Sequence, residues 1–550
     1  MQGLDWLVLG GYLLAMLVLA GFVGRRQSNS NDYFLGGRRL SAKALATSTL
    51  ATQCSTNSLL GAPAFVGFSL GGGLIWLQYE LAVPLAMLVL AWILVPARRL
   101  GVTSIYAILE LRLGRSSRLT AAACFMFFRA IATAVTIYGS ALVVSVILNI
   151  GFLPAVCLLM GVTLVYDLLG GLAAVVYSDV IQLILLVGAV VFSLFFIGDL
   201  ISWEFFASGR NQTLVNDWGL HGQDYGFWPM LIGGLFLYAA YYGCDQSQAQ
   251  RILAASSEAE TRKVLLLNGL LRFPLVLCYC LLGLGLATLA SLDGGWLQQL
   301  PETADGNANL NLVFPVFVLE YYAPGFVGLI MVGLIAAAMS SIDSALNSLA
   351  AVTLEDFVKP HLQEQASPQR LLNYGRLCTL FWAVLTIAFS FQVESIAPTV
   401  LEAVNKIGSM VNGPLLALVG LAILTKGLPA QLPLVAFGLG LAANFAVAIG
   451  LPDVSWLWWN VIGFVITVAV ALLGAPFYPR DIDAAGPSSL ESDDQAGTSL
   501  AASGIGPATH VMARGWEVDA PTDSTTRGFT GALLVMALGI LLVCFILGAL

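Results

Sequence analysis

Three hydroxyls and a carboxylate crowd one apolar stretch of this 550-residue chain, Gly333-Leu-Ile-Ala-Ala-Ala-Met-Ser-Ser-Ile-Asp-Ser-Ala-Leu-Asn347. Ser340, Ser341 and Ser344 fall at i, i+1 and i+4, so on a helix their side chains share one face. Asp343 stands beside them. Hydroxyl, carboxylate and carbonyl oxygens suit hard cations, whereas thiolates and imidazoles would suggest transition metals. Serine also serves small-residue contacts between membrane helices, but the aspartate weighs against that reading. A second polar run, Thr47-Ser-Thr-Leu-Ala-Thr-Gln-Cys-Ser-Thr-Asn-Ser58, is followed by Gly61, Pro63, Gly67 and Gly71-Gly72-Gly73. A helix interrupted there frees carbonyls that can coordinate a cation, provided the break lines a cavity. The segment Tyr238-Ala-Ala-Tyr-Tyr-Gly-Cys-Asp-Gln246 supplies a counterpart, as an inverted five-helix repeat requires.

Charge inside apolar segments is the other chemical signal. Glu80, Arg129, Asp179, Arg272, Asp343, Glu402 and Lys406 all lie within predicted spans. Such groups are expensive in lipid and mark ion or substrate paths, or pair with one another. Glu402 and Lys406 stand i,i+4 and can satisfy each other. Arg129 either neutralises Glu80 or receives an anionic group of a solute.

These residues need elements to hold them. The chain is 58% hydrophobic and 10% charged, with a mean hydropathy of +0.86. A soluble domain carries about 25% charged residues, so this chain cannot solvate itself as a globule. Apolar segments of roughly 20 residues, the length that spans lipid, recur throughout. The alternating pattern of an outer-membrane barrel is absent. The sequence predicts an all-α polytopic membrane protein with about fourteen transmembrane helices. Basic residues of the odd-numbered loops, from Arg25 to Lys426, fall on one side of that layout, and only Arg210 on the other. Positive charge stays cytoplasmic, which turns both termini outward. The cysteines form no C-x-x-C pair, and all eight sit in apolar segments as small core residues. Without a basic tract, nucleic acid is not an expected partner. The outer segment Phe314–Tyr322 reads as a surface helix, and residues 478–527 as a disordered cytoplasmic linker.

At these residues the sequence resembles the sodium/solute symporter family, which includes the sodium–glucose, sodium–proline, sodium–sialic acid and sodium–iodide symporters. The resemblance runs from the first helix to about residue 426. It is carried by Asp32-Tyr-Phe-Leu-Gly-Gly-Arg38, by Gly170-Gly171 through Tyr177-Ser-Asp-Val-Ile-Gln182, by Asp245-Gln246 through Gln250-Arg251, and by the serine run. The stretch from Asn347 to Pro360 is most similar to the iodide, monocarboxylate and multivitamin branch. The resemblance implies a LeuT-like core. It implies a sodium site from Ala51, Cys54, Ala337, Ser340 and Ser341, and a second cation site from Asp179 and Ser344. Asp343, counted with that second site, departs from the pattern by standing where those members place a small hydroxyl residue; a carboxylate there strengthens cation binding, binds a proton, or abolishes the second site as it is usually drawn. Positions that match substrate contacts are Ser58, Glu80, Tyr238, Tyr241, Arg272 and Asn405, with Arg129 added from its place in the membrane. Ser58 and Tyr238 depart from the sugar-transporting pattern.

The implied organisation is a first helix and cytoplasmic loop over 1–43, a ten-helix core over 44–426, two accessory helices over 427–477, the linker over 478–527 and a last helix over 528–550. Within the core, 44–199 and 227–426 are the two repeats. The implied function is sodium-coupled import of a small organic solute, anionic or zwitterionic, across a plasma or inner membrane by alternating access. Sodium is the coupling ion, and no cofactor or enzymatic activity is expected. The competing readings are a membrane sensor on a transporter fold and a proton-coupled transporter of the same fold.

Overall fold

In lipid every backbone N–H and C=O needs an internal partner, and helices supply one within each segment. The computed structural model describes residues 1–25, 30–54, 56–211, 213, 225–303, 306–362, 367–393, 400–425, 428–429, 431–477 and 524–549. Among the described residues it is helical, with one isolated β-bridge between Glu302 and Ala308 and no strand. Eleven of the described helices are long and apolar enough to cross a bilayer. The linker at 478–527 lies outside the described residues, except for the start of the last helix at Ser524.

The first helix, α1 (Gly3–Gly24), precedes short α2 (Ser30–Leu35). The polar run then forms α3 (Ala42–Gln53) and α4 (Thr56–Phe68). Ser41 starts α3 by accepting a hydrogen bond from Ala44 N at 3.2 Å, a serine N-cap. The helix stops because Cys54 takes φ −88°, ψ 64°. Close-packed glycines seat the second half: a Cβ on Gly67 would lie 2.7 Å from Gly283 O, and one on Gly283 would lie 2.9 Å from Pro63 Cα.

A 3-10 stretch over Leu74–Leu81 leads into α5 (Ala82–Arg99), followed by α6 (Ala107–Leu113) and α7 (Arg115–Leu148). The next run, α8 (Phe152–Leu200), has 49 residues. At 1.5 Å per residue a straight helix of that length would extend about 74 Å, more than twice the roughly 30 Å hydrocarbon core. Gly171, at φ 52° and ψ −163°, breaks it.

The second interrupted segment is α9 (Gly234–Cys244) and α10 (Gln246–Leu253), separated at Asp245 with ψ 117°. Then come α11 (Glu258–Leu292), α12 (Val313–Tyr321) and α13 (Phe326–Val352). The expected surface helix corresponds to α12, and it is not on the surface. Phe314, Val316 and Phe317 are buried because Phe317 sits in an aromatic cluster with Trp296, Phe196 and Tyr322. The remaining helices are α14 (Pro368–Ser390), α15 (Val400–Leu424), α16 (Leu432–Gly450), α17 (Trp456–Gly474) and α18 (Ser524–Ala549).

Burial ranks these helices by position. The apolar stretch of α13 is 89% buried and that of α18 only 17%. The serine-bearing helix is therefore the axis of the bundle, and the last helix lies on its rim. Exposed Leu7, Phe22, Val535 and Leu538 are the lipid face that such rim helices need.

Candidate functional site

The break between α3 and α4 faces α13. Ser340 Oγ donates to Ala337 O at 3.0 Å and to Ala51 O at 3.4 Å, and Ser341 Oγ donates to Thr52 O at 2.9 Å. Thr52 Oγ1 and Ser344 Oγ share a hydrogen bond at 2.9 Å. The Cys54 carbonyl, freed where α3 stops, meets the Tyr279 hydroxyl of α11 at 3.5 Å. The structure thus brings Ala51, Ala337, Ser340 and Ser341 together through oxygen atoms, while the Cys54 carbonyl at the break meets α11 rather than α13. That chemistry matches an alkali ion.

Asp179, Asp343 and Ser344 also come together, around a group that the reading of single residues left out. Arg251 of α10 is fully buried. It donates from Nε to Ser48 Oγ at 2.7 Å, from Nη2 to Asp179 Oδ2 at 3.3 Å, and to Ser344 Oγ. Ser48 Oγ donates to Asp179 Oδ2 at 2.5 Å. Asp343 accepts from the Tyr166 hydroxyl and, at 3.1 Å, from Ser344 Oγ. The positive charge among these oxygens is the guanidinium of the chain itself.

A cavity of about 90 Å3 opens beside the helix break. Ser58, Arg129, Tyr238, Tyr241, Arg272 and Asn405 line it, as do Thr52 and Ser341 from the interface between α3 and α13. Gln53, Asn57, Trp76, Tyr79 and Tyr279 complete much of the wall. Glu80 is not in the wall. It lies behind Arg272, which donates to it from Nε at 2.8 Å and from Nη2 at 3.2 Å. Tyr238 closes this group, accepting from Arg272 at 2.7 Å and donating to Glu80 at 3.2 Å. Arg272 Nη1 reaches Cys54 Sγ at 3.6 Å, which ties the pair to the helix break.

Arg129 therefore does not neutralise Glu80; Arg272 is close enough to do so with two hydrogen bonds. Arg129 instead pairs with Asp245 at 3.2 Å, at the interruption between α9 and α10. Its Nε is buried without a hydrogen-bond partner. Tyr241 lies beside it, with the guanidinium 6.0 Å from the ring centre. A second cavity of about 60 Å3 shares Arg129, Tyr241 and Asn405 with the first and adds Asp245, Asn412 and Phe125. Arg129 and Tyr241 thus stand between two chambers. Glu402 and Lys406 pair at 2.9 Å away from this wall, as their spacing suggested.

The sequence reading noted Gln53 and Asn57 only as members of the polar run and missed Trp76, Tyr79 and Tyr279. Aromatic and amide side chains in apolar segments carry no signal that separates a cavity wall from a packed seam. Asp167 was also missed, although an acid within Leu164-Val-Tyr-Asp-Leu-Leu169 obeys the same rule that singled out Asp179.

Residues 33–436 match the sodium:solute symporter family. Sodium-coupled monocarboxylate transporter 1 of Mus musculus is 29% identical over 86% of this chain and 74% of its own length. The sodium/sialic acid symporter SiaT of Proteus mirabilis (strain HI4320) is 27% identical over 86% of this chain and 95% of its own. Among solved structures, the substrate-bound outward-open state of a Na+-coupled sialic acid symporter superposes with a TM-score of 0.79 at 25% identity, covering 87% of this chain and 99% of that one.

Proposed function

The chain belongs to the sodium:solute symporter family, and on that premise we propose how its residues couple sodium to a small anionic or zwitterionic solute. It is a sodium-coupled symporter embedded in a membrane, not an enzyme. In the proposal, sodium binds between the broken second span and α13, held by the carbonyls of Ala51, Cys54 and Ala337 and the hydroxyls of Ser340 and Ser341. Their oxygen-only donor set fits the ion. Asp179, Asp343 and Ser344 form a second cation region, occupied here by Arg251.

The observation that carries the proposal is shared walls. Thr52 and Ser341 belong both to the ion interface and to the solute cavity, so an ion that reorients them changes what the solute meets. A ligand that favours neither of two states shifts nothing; a wall common to both sites supplies the preference. Each sodium entering down 100 mV contributes about 2.3 kcal/mol, roughly a fortyfold accumulation of solute.

The solute class follows from the wall. Two arginines, Arg129 and Arg272, stand in it among hydroxyl and amide groups, which suits a small anionic or zwitterionic solute. Arg129 offers an unpartnered Nε toward such a group, and a solute carboxylate would compete with Asp245 for the guanidinium. Binding would then loosen the Arg129–Asp245 contact beside Tyr241 and open the inner chamber. Ser58, Tyr238, Arg272 and Asn405 complete the solute wall, with Glu80 holding Arg272 in place.

The proposed topology has fourteen spans: α8 crosses twice, and α3–α4 and α9–α10 each cross as a broken helix. The core over 44–426 is a LeuT-like inverted repeat of 44–199 and 227–426, with accessory helices over 427–477, a cytoplasmic linker over 478–527, a last helix over 528–550 and both termini outward. The test is uptake into proteoliposomes under a sodium gradient, with labelled small carboxylates, amino acids and sugars. Sodium-dependent uptake of a carboxylate or amino acid supports the proposal. Uptake of sugars alone rejects the solute class, and equal uptake with potassium replacing sodium rejects the coupling.

A further inference from the structure

Asp167 lies on the first leg of α8, one turn before the Gly171 break, and none of it reaches solvent. Neither carboxylate oxygen has a hydrogen-bond partner. The Tyr33 hydroxyl of α2 donates at 3.3 Å to the backbone carbonyl of Asp167, not to its side chain. Asn347 of α13 interacts with the carboxylate, at a geometry short of a hydrogen bond, and its Nδ2 is likewise buried and unpartnered. Gln250 holds the other end of that amide, donating to Asn347 Oδ1 at 3.0 Å and to Phe34 O at 2.6 Å.

The charges around Asp167 do not balance. Asp167, Asp179 and Asp343 are three fully buried carboxylates, and one buried guanidinium, Arg251, serves the first two. Asp179 takes the direct contact with that guanidinium, and Asp343 takes the Tyr166 hydroxyl and Ser344. Asp167 is left with the distant Arg251 charge and the Asn347 amide, and with no hydrogen bond to either oxygen. On its other side Tyr33 of α2 covers it, and Arg376 and Cys378 of α14 face Tyr33 rather than the carboxylate. Tyr12 of α1 faces Asp343 and Asp179. A buried charge without a partner is costly enough that such groups are paired or bind ions.

Asn347 follows Ser340 by seven residues and Ser344 by three, so all three lie on one face of α13. That face runs from the sodium interface toward the end of α13 where Asp167 stands. We propose that Asp167, with Asn347, is a separate monovalent-cation site reached along this face from the sodium interface, taking a sodium ion or a proton on the carboxylate oxygens that the protein leaves bare. The inference builds on the proposed sodium interface, but it has its own readout.

Radiosodium binding to the purified full-length protein, counted per chain at saturation, tests it together with the infrared carboxylic-acid band. Asp167→Asn should either lower the sodium count by one, which identifies the occupant as sodium, or leave the count and remove an acid band, which identifies a proton. Ser341→Ala should weaken sodium binding about tenfold in either background, so failure of the sodium interface shows separately. Should Asp167→Asn not fold, Asp167→Glu keeps the carboxylate and should shift either the second sodium affinity or the acid band. Asp167 variants matching the unmodified protein in both sodium count and band would overturn the proposal.

Discussion

Removing one partner of the Glu80–Arg272 pair should be among the most damaging single changes around the cavity. Glu80 is fully buried, and Arg272 gives it two hydrogen bonds while its guanidinium lies 4.9 Å from the Tyr238 ring centre. Breaking a buried pair from one side costs about 3–5 kcal/mol, because the other charge stays buried without its partner. Replacing both by apolar residues of similar volume is commonly near neutral. Glu80→Leu and Arg272→Leu should therefore each destabilise by about 3–5 kcal/mol, and the double substitution by much less than their sum, leaving a coupling of several kcal/mol against the 0.5–3 typical of neighbours. Cys54 and Cys280 are buried and free, so heat-induced labelling by a thiol-reactive dye reports unfolding, with Cys280 the safer reporter because Cys54 touches Arg272. The double variant should recover most of the lost midpoint and still fail to transport. Additive losses would refute the reasoning, since they would mean that neither charge depends on the other.

Asp245→Asn removes the charge facing Arg129, and it should speed thiol labelling of the neighbouring buried Cys244 from the inner side severalfold while slowing accumulation of solute; unchanged labelling would contradict a gate there. Asp5 accepts from Gly325 N at 2.6 Å and Gly328 N at 2.8 Å, clasping the start of α13, so Asp5→Ala should cost about 1–2 kcal/mol in thermal stability with the sodium dependence of uptake preserved. Asp179→Asn leaves Arg251 buried without a carboxylate partner, and should lower the yield of folded protein more than Ser344→Ala does, measured by size-exclusion chromatography.

Much of the fold was legible because lipid imposes simple rules. Apolar runs located the long helices, and the Ser- and Thr-rich run before Gly61 located a real interruption, which the structure places at Cys54. The Gly170-Gly171 step, noted as part of a motif, proved to be where α8 breaks. Pairings were harder to read. Arg129, Arg272 and Glu80 all lie in spans, but which arginine meets Glu80 depends on how α5, α7 and α11 rotate about their axes, and spacing within one helix does not fix that. Glu402 and Lys406 were readable because both sit on one helix. Phe314–Tyr322 misled because a short apolar helix in an outer segment looks alike whether it lies on the surface or folds inward under aromatic neighbours.

The central claim is that sodium sits where the α3–α4 break meets the hydroxyls of α13, and the sodium concentration for half-maximal uptake in Ser341→Ala tests it most directly. Losing one oxygen ligand of a charged ion is worth about 1.5 kcal/mol, so the account predicts a rise of roughly tenfold with solute affinity at saturating sodium little changed. A variant whose sodium requirement matches that of the unmodified protein would contradict it.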